Sequence, residues 1–297
     1  MADLRPMEFG EVLDGAISLF RRHFGLFFKL SLTVMWLPIA VALYWRLRYF
    51  NFDGAQAPDQ AIAAIQSQIV PVVIWGFVLF VAYECGFLLL TAGSIRVISD
   101  SLLGREPQFG EALALGASKI VPLFLVGLGK GLLIGLVALL GGIVVALVAA
   151  AGKVAGVGMA ALLIFFGLVG VFWLLLFIAS GYIVTTPVVV LESLSSAFDA
   201  FGRSWELTRG VKFRMLGLGV VSFLIASVLP AIVMQAVGAL VLELIPGAQM
   251  AWAIVPSIVS VMMAPIIPCI LTLAYYDRRV RREGFDLQLL SEQLGVG

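Results

Sequence analysis

The chain of 297 residues holds one histidine and two cysteines, and its charged residues make up only 12%. Each scarcity excludes something. Cys85 and Cys269 lie far apart inside apolar runs, so there is no CxxC pair, and both read as small hydrophobes. With His23 the sole histidine, the pool of histidine and cysteine ligands for a metal is nearly empty. Its 19 Lys and Arg against 18 Asp and Glu leave a formal charge of +1, without the basic excess of a nucleic-acid binder. No G-x-S-x-G elbow, P-loop, H-E-x-x-H pair or Rossmann glycine fingerprint occurs. His23, beside Arg21 and Arg22, reads as part of a basic flank and not as a general base. The expectation is a chain without catalytic activity, metal or cofactor. No secretory leader is expected either, because Asp3, Arg5, Glu8, Glu11, Asp14, Arg21 and Arg22 leave no apolar h-region among the first twenty-three residues.

What the chain has in excess is carbon. Hydrophobic residues make up 62% and the mean hydropathy is +1.09. A soluble domain is about 45–50% apolar and about 25% charged, and disorder requires the opposite bias. The composition therefore predicts an integral membrane protein. Six segments reach the roughly 20 apolar residues that a spanning helix needs, at about 24–45, 69–95, 120–150, 156–190, 211–242 and 251–276. Their runs are continuous and do not alternate, which predicts helices and not barrel strands. The whole chain, 1–297, reads as one all-α membrane domain. The third, fourth and fifth segments exceed one bilayer crossing at about 1.5 Å per residue. Bends are expected at Ser180-Gly181, Pro187 and Pro230, and irregular backbone at Pro256, Pro265 and Pro268.

Basic residues orient the spans. The N-terminus, the 96–119 and 191–214 links and the tail share one side, and that side carries 15 of the Lys and Arg residues. Arg46, Arg48 and Lys153 fall on the other side, and Lys130 lies within a span. The positive-inside rule then places both termini in the cytoplasm. Tyr44, Trp45, Trp75 and Trp252 cluster near the opposite ends, as an outer aromatic belt would.

The segments preceding the spans resemble one another. Phe9, Val12, Leu13, Ala16, Ile17 and Phe20 form an apolar helical stripe. Phe109, Ala112, Leu113, Gly116, Ala117 and Ile120 repeat it 100 residues later, and Phe198, Phe201, Gly202 and Trp205 form a looser copy behind an S-x-x-D box at Ser196 and Asp199. The chain is read either as three units of amphipathic surface helix plus transmembrane hairpin, or as chance likeness among short helices. The stripes are expected to face acyl chains or the floor of the bundle, as lipid or partner sensors or merely as caps.

Glu84 lies within the second span and Lys130 within the third, each about ten residues from the cytoplasmic end of its segment, about 15 Å deep. Charges there usually pair or face the bundle interior, so an ion pair between them is expected, either structural or part of a relay. Gly127, Gly131 and Gly135, continued by Gly142, form a small-residue stripe that suits close helix packing, inside the chain by default or in a homo-oligomer. The tail Tyr275-Tyr276-Asp277-Arg278-Arg279-Val280-Arg281-Arg282 and the stretch Arg203, Trp205, Arg209, Lys212, Arg214 offer lipid headgroup or partner contacts, or topology anchors.

Three islands resemble the glycerophosphoryl diester phosphodiesterase membrane-domain family of bacterial proteins. They are Arg5-Pro6-Met7-Glu8-Phe9-Gly10-Glu11-Val12-Leu13-Asp14-Gly15-Ala16, Ser204-Trp205-Glu206-Leu207-Thr208-Arg209-Gly210, and Tyr276-Asp277-Arg278-Arg279-Val280-Arg281-Arg282-Glu283-Gly284-Phe285-Asp286-Leu287. The resemblance implies a multi-helix domain in a bacterial inner membrane. It does not imply the phosphodiesterase activity, since that family's catalytic part needs a histidine pair and acidic metal ligands. Two functions stay open: a non-catalytic scaffold or accessory component binding membrane lipids or other membrane proteins, and a transporter or channel whose path uses Glu84, Lys130 and the proline-broken sixth span. A solvent-connected polar cavity around Glu84 would favour transport, and a filled bundle the scaffold.

Overall fold

A computed structural model describes residues 5–49, 69–152, 156–245, 247, 252 and 254–294, and among the described residues every regular element is a helix. In chain order these are α1 (Phe9–Arg22), α2 (Phe24–Tyr49), α3 (Ile69–Leu102), α4 (Phe109–Gly152), α5 (Val157–Gly181), α6 (Thr185–Leu191), α7 (Asp199–Thr208), α8 (Lys212–Phe223), a π turn (Leu224–Val228), α9 (Leu229–Leu244), α10 (Val255–Met263), α11 (Ile266–Glu283) and α12 (Phe285–Leu294). Six stretches are long and apolar enough to cross a membrane: Phe24–Tyr44, α3, α4, α5 with α6, α8 with α9, and α10 with α11. The protein is an all-α, multi-pass membrane protein. Lys153 and the side chains of Trp45, Arg46 and Arg48 lie outside the described residues.

The breaks fall where local chemistry requires them. The fourth span stops at Tyr182, directly after Ser180-Gly181, and resumes as α6. In the fifth, Pro230 has no N–H to return to Ala226, and the chain widens into the π turn just before it, where the Leu229 N–H reaches Leu224 O. In the sixth, Pro265 likewise deprives the Val261 carbonyl of its helical donor, and the Ser31 hydroxyl donates to that carbonyl from α2 at 3.4 Å.

The principal packed core gathers around α11. Leu273, Ala274, Tyr275, Tyr276, Asp277 and Arg278 are all buried, so this part of the helix is enclosed by its neighbours. One neighbour is α1, which turns Val12, Ala16 and Phe20 inward and keeps a glycine at position 15 where Leu273 approaches. The stripe thus faces the floor of the bundle. In α4, Ala112 and Gly116, 100 residues on from Val12 and Ala16, are buried in the same way against α3. The third expected copy differs: α7 buries Ala200, Ser204, Leu207 and Thr208, while Phe198 is exposed. Hydrogen bonds select that face, since the Ser204 and Thr208 hydroxyls both donate to Gly181 O, at 2.9 and 3.2 Å.

The first two copies also continue differently. The chain breaks at His23, between α1 and α2, whereas α4 runs from Phe109 to Gly152 without interruption despite Pro122. Its 44 residues extend about 66 Å, twice the hydrocarbon thickness of a bilayer. The Met7 N–H donates to Asp277 Oδ1 at 2.9 Å, so the start of the chain and the end of the sixth span meet at one end of the bundle, here termed basal. At the other end Tyr44 and Trp75 stack edge to face, 5.5 Å apart.

Candidate functional site

Glu84 and Lys130 do not form the expected ion pair; no contact between them occurs among the ion pairs of the described residues. The cause is register. Gly93 faces Ala112 O and Gly116 faces Leu89 O, so the antiparallel helices α3 and α4 align Glu84 with Val121. Lys130 lies nine residues further along α4, about 13 Å at helical rise. Equal depth would require the second span to end at residue 95 and the third to start at residue 120. The helices run past both points.

The glycine stripe also faces a different way from its default reading. A Cβ on Gly127, Gly131 or Gly135 would meet nothing within 4 Å, and the same holds for Gly142. Gly129 is the glycine that lets Phe198 and Phe201 approach. It lies two residues, about 200°, around the helix from both Gly127 and Gly131. Close packing of α4 against α5 falls further along, where Gly141 meets Val171 and Gly152 meets Leu163.

The arginines expected to offer headgroup or partner contacts are largely engaged inside the chain. Arg278 is buried and donates to Leu207 O at 2.9 Å. Arg282 donates to Glu206 O and Arg209 O, at 2.6 and 3.0 Å, tying the last span to the link before the fifth. Arg279 pairs with Glu283 at 3.1 Å and lies 3.9 Å over the Phe285 ring. Arg203 bridges Glu192 at 2.9 Å and Glu283 at 2.6 Å, and Tyr275 OH donates to the same Glu192 at 2.8 Å. Arg209, Arg281 and Arg282 are exposed.

Asp277 organises a second cluster. Its carboxylate is fully buried and receives the Met7 N–H and, at 2.8 Å, Arg281 Nε, with Arg214 at 3.4 Å. Both arginines also donate to Met7 O, at 2.6 and 2.8 Å. The entire Met7 peptide is therefore clamped between α8 and α11. Nearby at the base, His23 Nε2 and Ser101 Oγ lie 2.9 Å apart, which ties the break between α1 and α2 to the end of α3. Burial, and then the positive charge of Arg22, hold the His23 imidazole below its ordinary pKa.

The spanning region contains a cavity of about 640 Å³ between α2, the π turn, α9 and α10. Prolines shape it: Pro38 on α2, Pro230 on α9 and Pro256 on α10 all line it. Its walls are mostly carbon, with Ile39, Met234 and Val261 among them, and Trp252 covers Gly238 beside it. The polar residues that line it are neutral: Ser227, Gln235, Ser257, Ser260 and Tyr83. Neither Glu84 nor Lys130 lines it, although Tyr83 adjoins Glu84 in sequence. Gln235 and the two serines of α10 did not stand out in the sequence because each is a single polar residue in an apolar run. The clustering of prolines in the fifth and sixth spans was the available signal. Cys85 is exposed and Cys269 buried, and both are free thiols. No family model matches the chain, and no curated protein or solved structure matches it.

Proposed function

We propose that this protein is a non-catalytic component of a bacterial inner membrane, with both termini in the cytoplasm, that holds a lipid in the cavity between α2, α9 and α10 and acts as a scaffold or accessory to other membrane proteins. The cavity is the observation that carries the reading. A volume of about 640 Å³ falls within the range of small-molecule sites, and walls of carbon with a few neutral polar groups suit an acyl chain with a modest polar end. The basal arginine clusters support the scaffold side, since they bind α1, α7, α8 and α11 into one rigid floor. The architecture implied by the resemblance of the three sequence islands to the glycerophosphoryl diester phosphodiesterase membrane domains agrees with this reading.

Gentle extraction followed by mass spectrometry tests it. The wild type should retain lipid, and Ala231→Trp, which places a ring in the cavity, should lose it. Equal retention by the two would refute cavity binding. One observation favours transport as a second reading: two interrupted spans, broken at the π turn and at Ala264-Pro265, border the cavity. That reading then rests on the broken helices and not on Glu84 with Lys130. Flux of a fluorescent lipid across proteoliposomes would separate it from static binding.

A further inference from the structure

Within the basic and aromatic stretch before the fifth span, Lys212 is placed unlike its neighbours. Gly210 turns the chain with a φ of 84°, in the left-handed region that favours glycine, and Lys212 opens α8 two residues later. Its ammonium lies 3.0 Å from the centroid of the Trp205 ring and 3.8 Å from that of Phe177. These two rings meet edge to face with centroids 6.0 Å apart. Ring faces attract a cation but accept little hydrogen bonding, so they fix the ammonium and leave its N–H donors unfilled. Lys212 has no carboxylate partner among the ion pairs of the described residues. Arg214, two residues on, is instead taken by Asp277.

Beside the ammonium a groove of about 220 Å³ lies between α5 and α8, walled by Trp173, Leu176, Phe177, Phe213 and Leu216. Trp173 and Phe213 are 54% and 75% exposed, so the groove is open along the flank of the bundle. The groove lies between the second half of α5 and the first turns of α8, beside the turn at Gly210 that leads into the fifth span. A cation with spare donors at the basal end and a carbon-lined trough running from it match an amphiphile with a negative head. The exposed Arg209 adds positive potential at the same end.

We propose that Lys212 and this groove bind an anionic phospholipid of the leaflet nearest the termini, its phosphate on the Lys212 ammonium and one acyl chain along Trp173 and Leu216. The site shares no residue with the cavity between α2, α9 and α10, and it stands or falls separately from the function proposed above. The test titrates the full-length protein in detergent with phosphatidylglycerol and with phosphatidylcholine of identical chains, read by native mass spectrometry. The wild type should bind phosphatidylglycerol about five-fold more tightly. Lys212→Gln should abolish that preference and Lys212→Arg should keep it. A folded Lys212→Gln protein that retains the full preference would overturn the assignment. A second measurement needs no variant at Lys212. Phosphatidylglycerol with brominated chains should quench the fluorescence component that Trp173→Phe removes, and more strongly than brominated phosphatidylcholine does; equal quenching also overturns it. Added sn-glycerol 3-phosphate should not displace the lipid. Displacement would assign the cation to a soluble phosphate and sink the lipid reading.

Discussion

The two ends of this bundle are held together by different means. At the base, Leu273–Arg278 of α11 are buried, and charged side chains pair across α7, α8 and α11. Toward the opposite end, Leu132, Leu136, Leu139 and Leu140 on α4 and Phe165, Phe166 and Phe172 on α5 are exposed, and a cavity opens between α2, α9 and α10. Hydrocarbon does not penalise exposed leucine, so helices there need not bury it against each other, and small residues and shape decide where they touch. At the base the backbone carbonyls of Glu206, Leu207 and Arg209, at the end of α7, accept from arginine side chains. The basal end behaves like the interior of a soluble domain, while the other end uses lipid as its packing partner.

Removing the centre of the basal cluster should have the largest effect. Asp277→Ala would leave the Met7 N–H and two arginines without their buried acceptor. Both arginines retain some solvent exposure, so the loss should be about 3 kcal/mol, short of the full cost of an isolated buried charge. Thermal unfolding in detergent measures it, and Asp277→Asn, which still accepts from Met7, should lose less. If alanine costs nothing, the base is not organised around this carboxylate.

Glycine substitution sharpens the comparison within a single helix. Gly141→Leu should crowd Val171, which already lies 2.7 Å from a Cβ placed there, and overpacking of this kind costs about 1–3 kcal/mol. Gly131→Leu faces open space and should change stability by less than about 0.5 kcal/mol in either direction. The reverse order would mean that the two faces of α4 have been exchanged.

A smaller effect is expected at His23. Its imidazole titrates lower in the folded protein than the ordinary value of 6.5, so below that value the unfolded chain takes up the proton first. Stability should therefore be fully present above pH 6.5, decline as the pH falls, and level off once the folded state is protonated too. The midpoint of unfolding followed through this range should show the decline in the wild type and a flatter profile in His23→Gln.

Much of this architecture was legible from local patterns. Spans, their helical nature and their breaks at Ser180-Gly181, Pro230 and Pro265 follow from runs of hydropathy and missing N–H groups, which need no knowledge of neighbours. The shared burial of Val12 with Ala112 and of Ala16 with Gly116 was visible as a repeat at an offset of 100 residues. The site residues were harder to read because each depended on a rotation or register. Gly127 and Gly131 sit about half a turn away from Gly129, which makes the contact, and spacing alone does not say which side a partner helix takes. The tail arginines read as a basic surface because their acceptors are main-chain carbonyls in α7 and beyond, some 70 residues away.

The amino-acid order alone decided that this chain belongs in a bilayer and supplies six helices long and apolar enough to cross it, because each such helix is a local balance between apolar side chains and a self-satisfied helical backbone. Only the assembled tertiary structure decided that Glu84 and Lys130 stay apart, that the tail arginines find acceptors within the chain, and that Lys212 alone of its stretch meets two aromatic faces. Those outcomes hang on how far one helix slides along another and which way it turns about its own axis, and the contacts that set both come from residues distant in the chain.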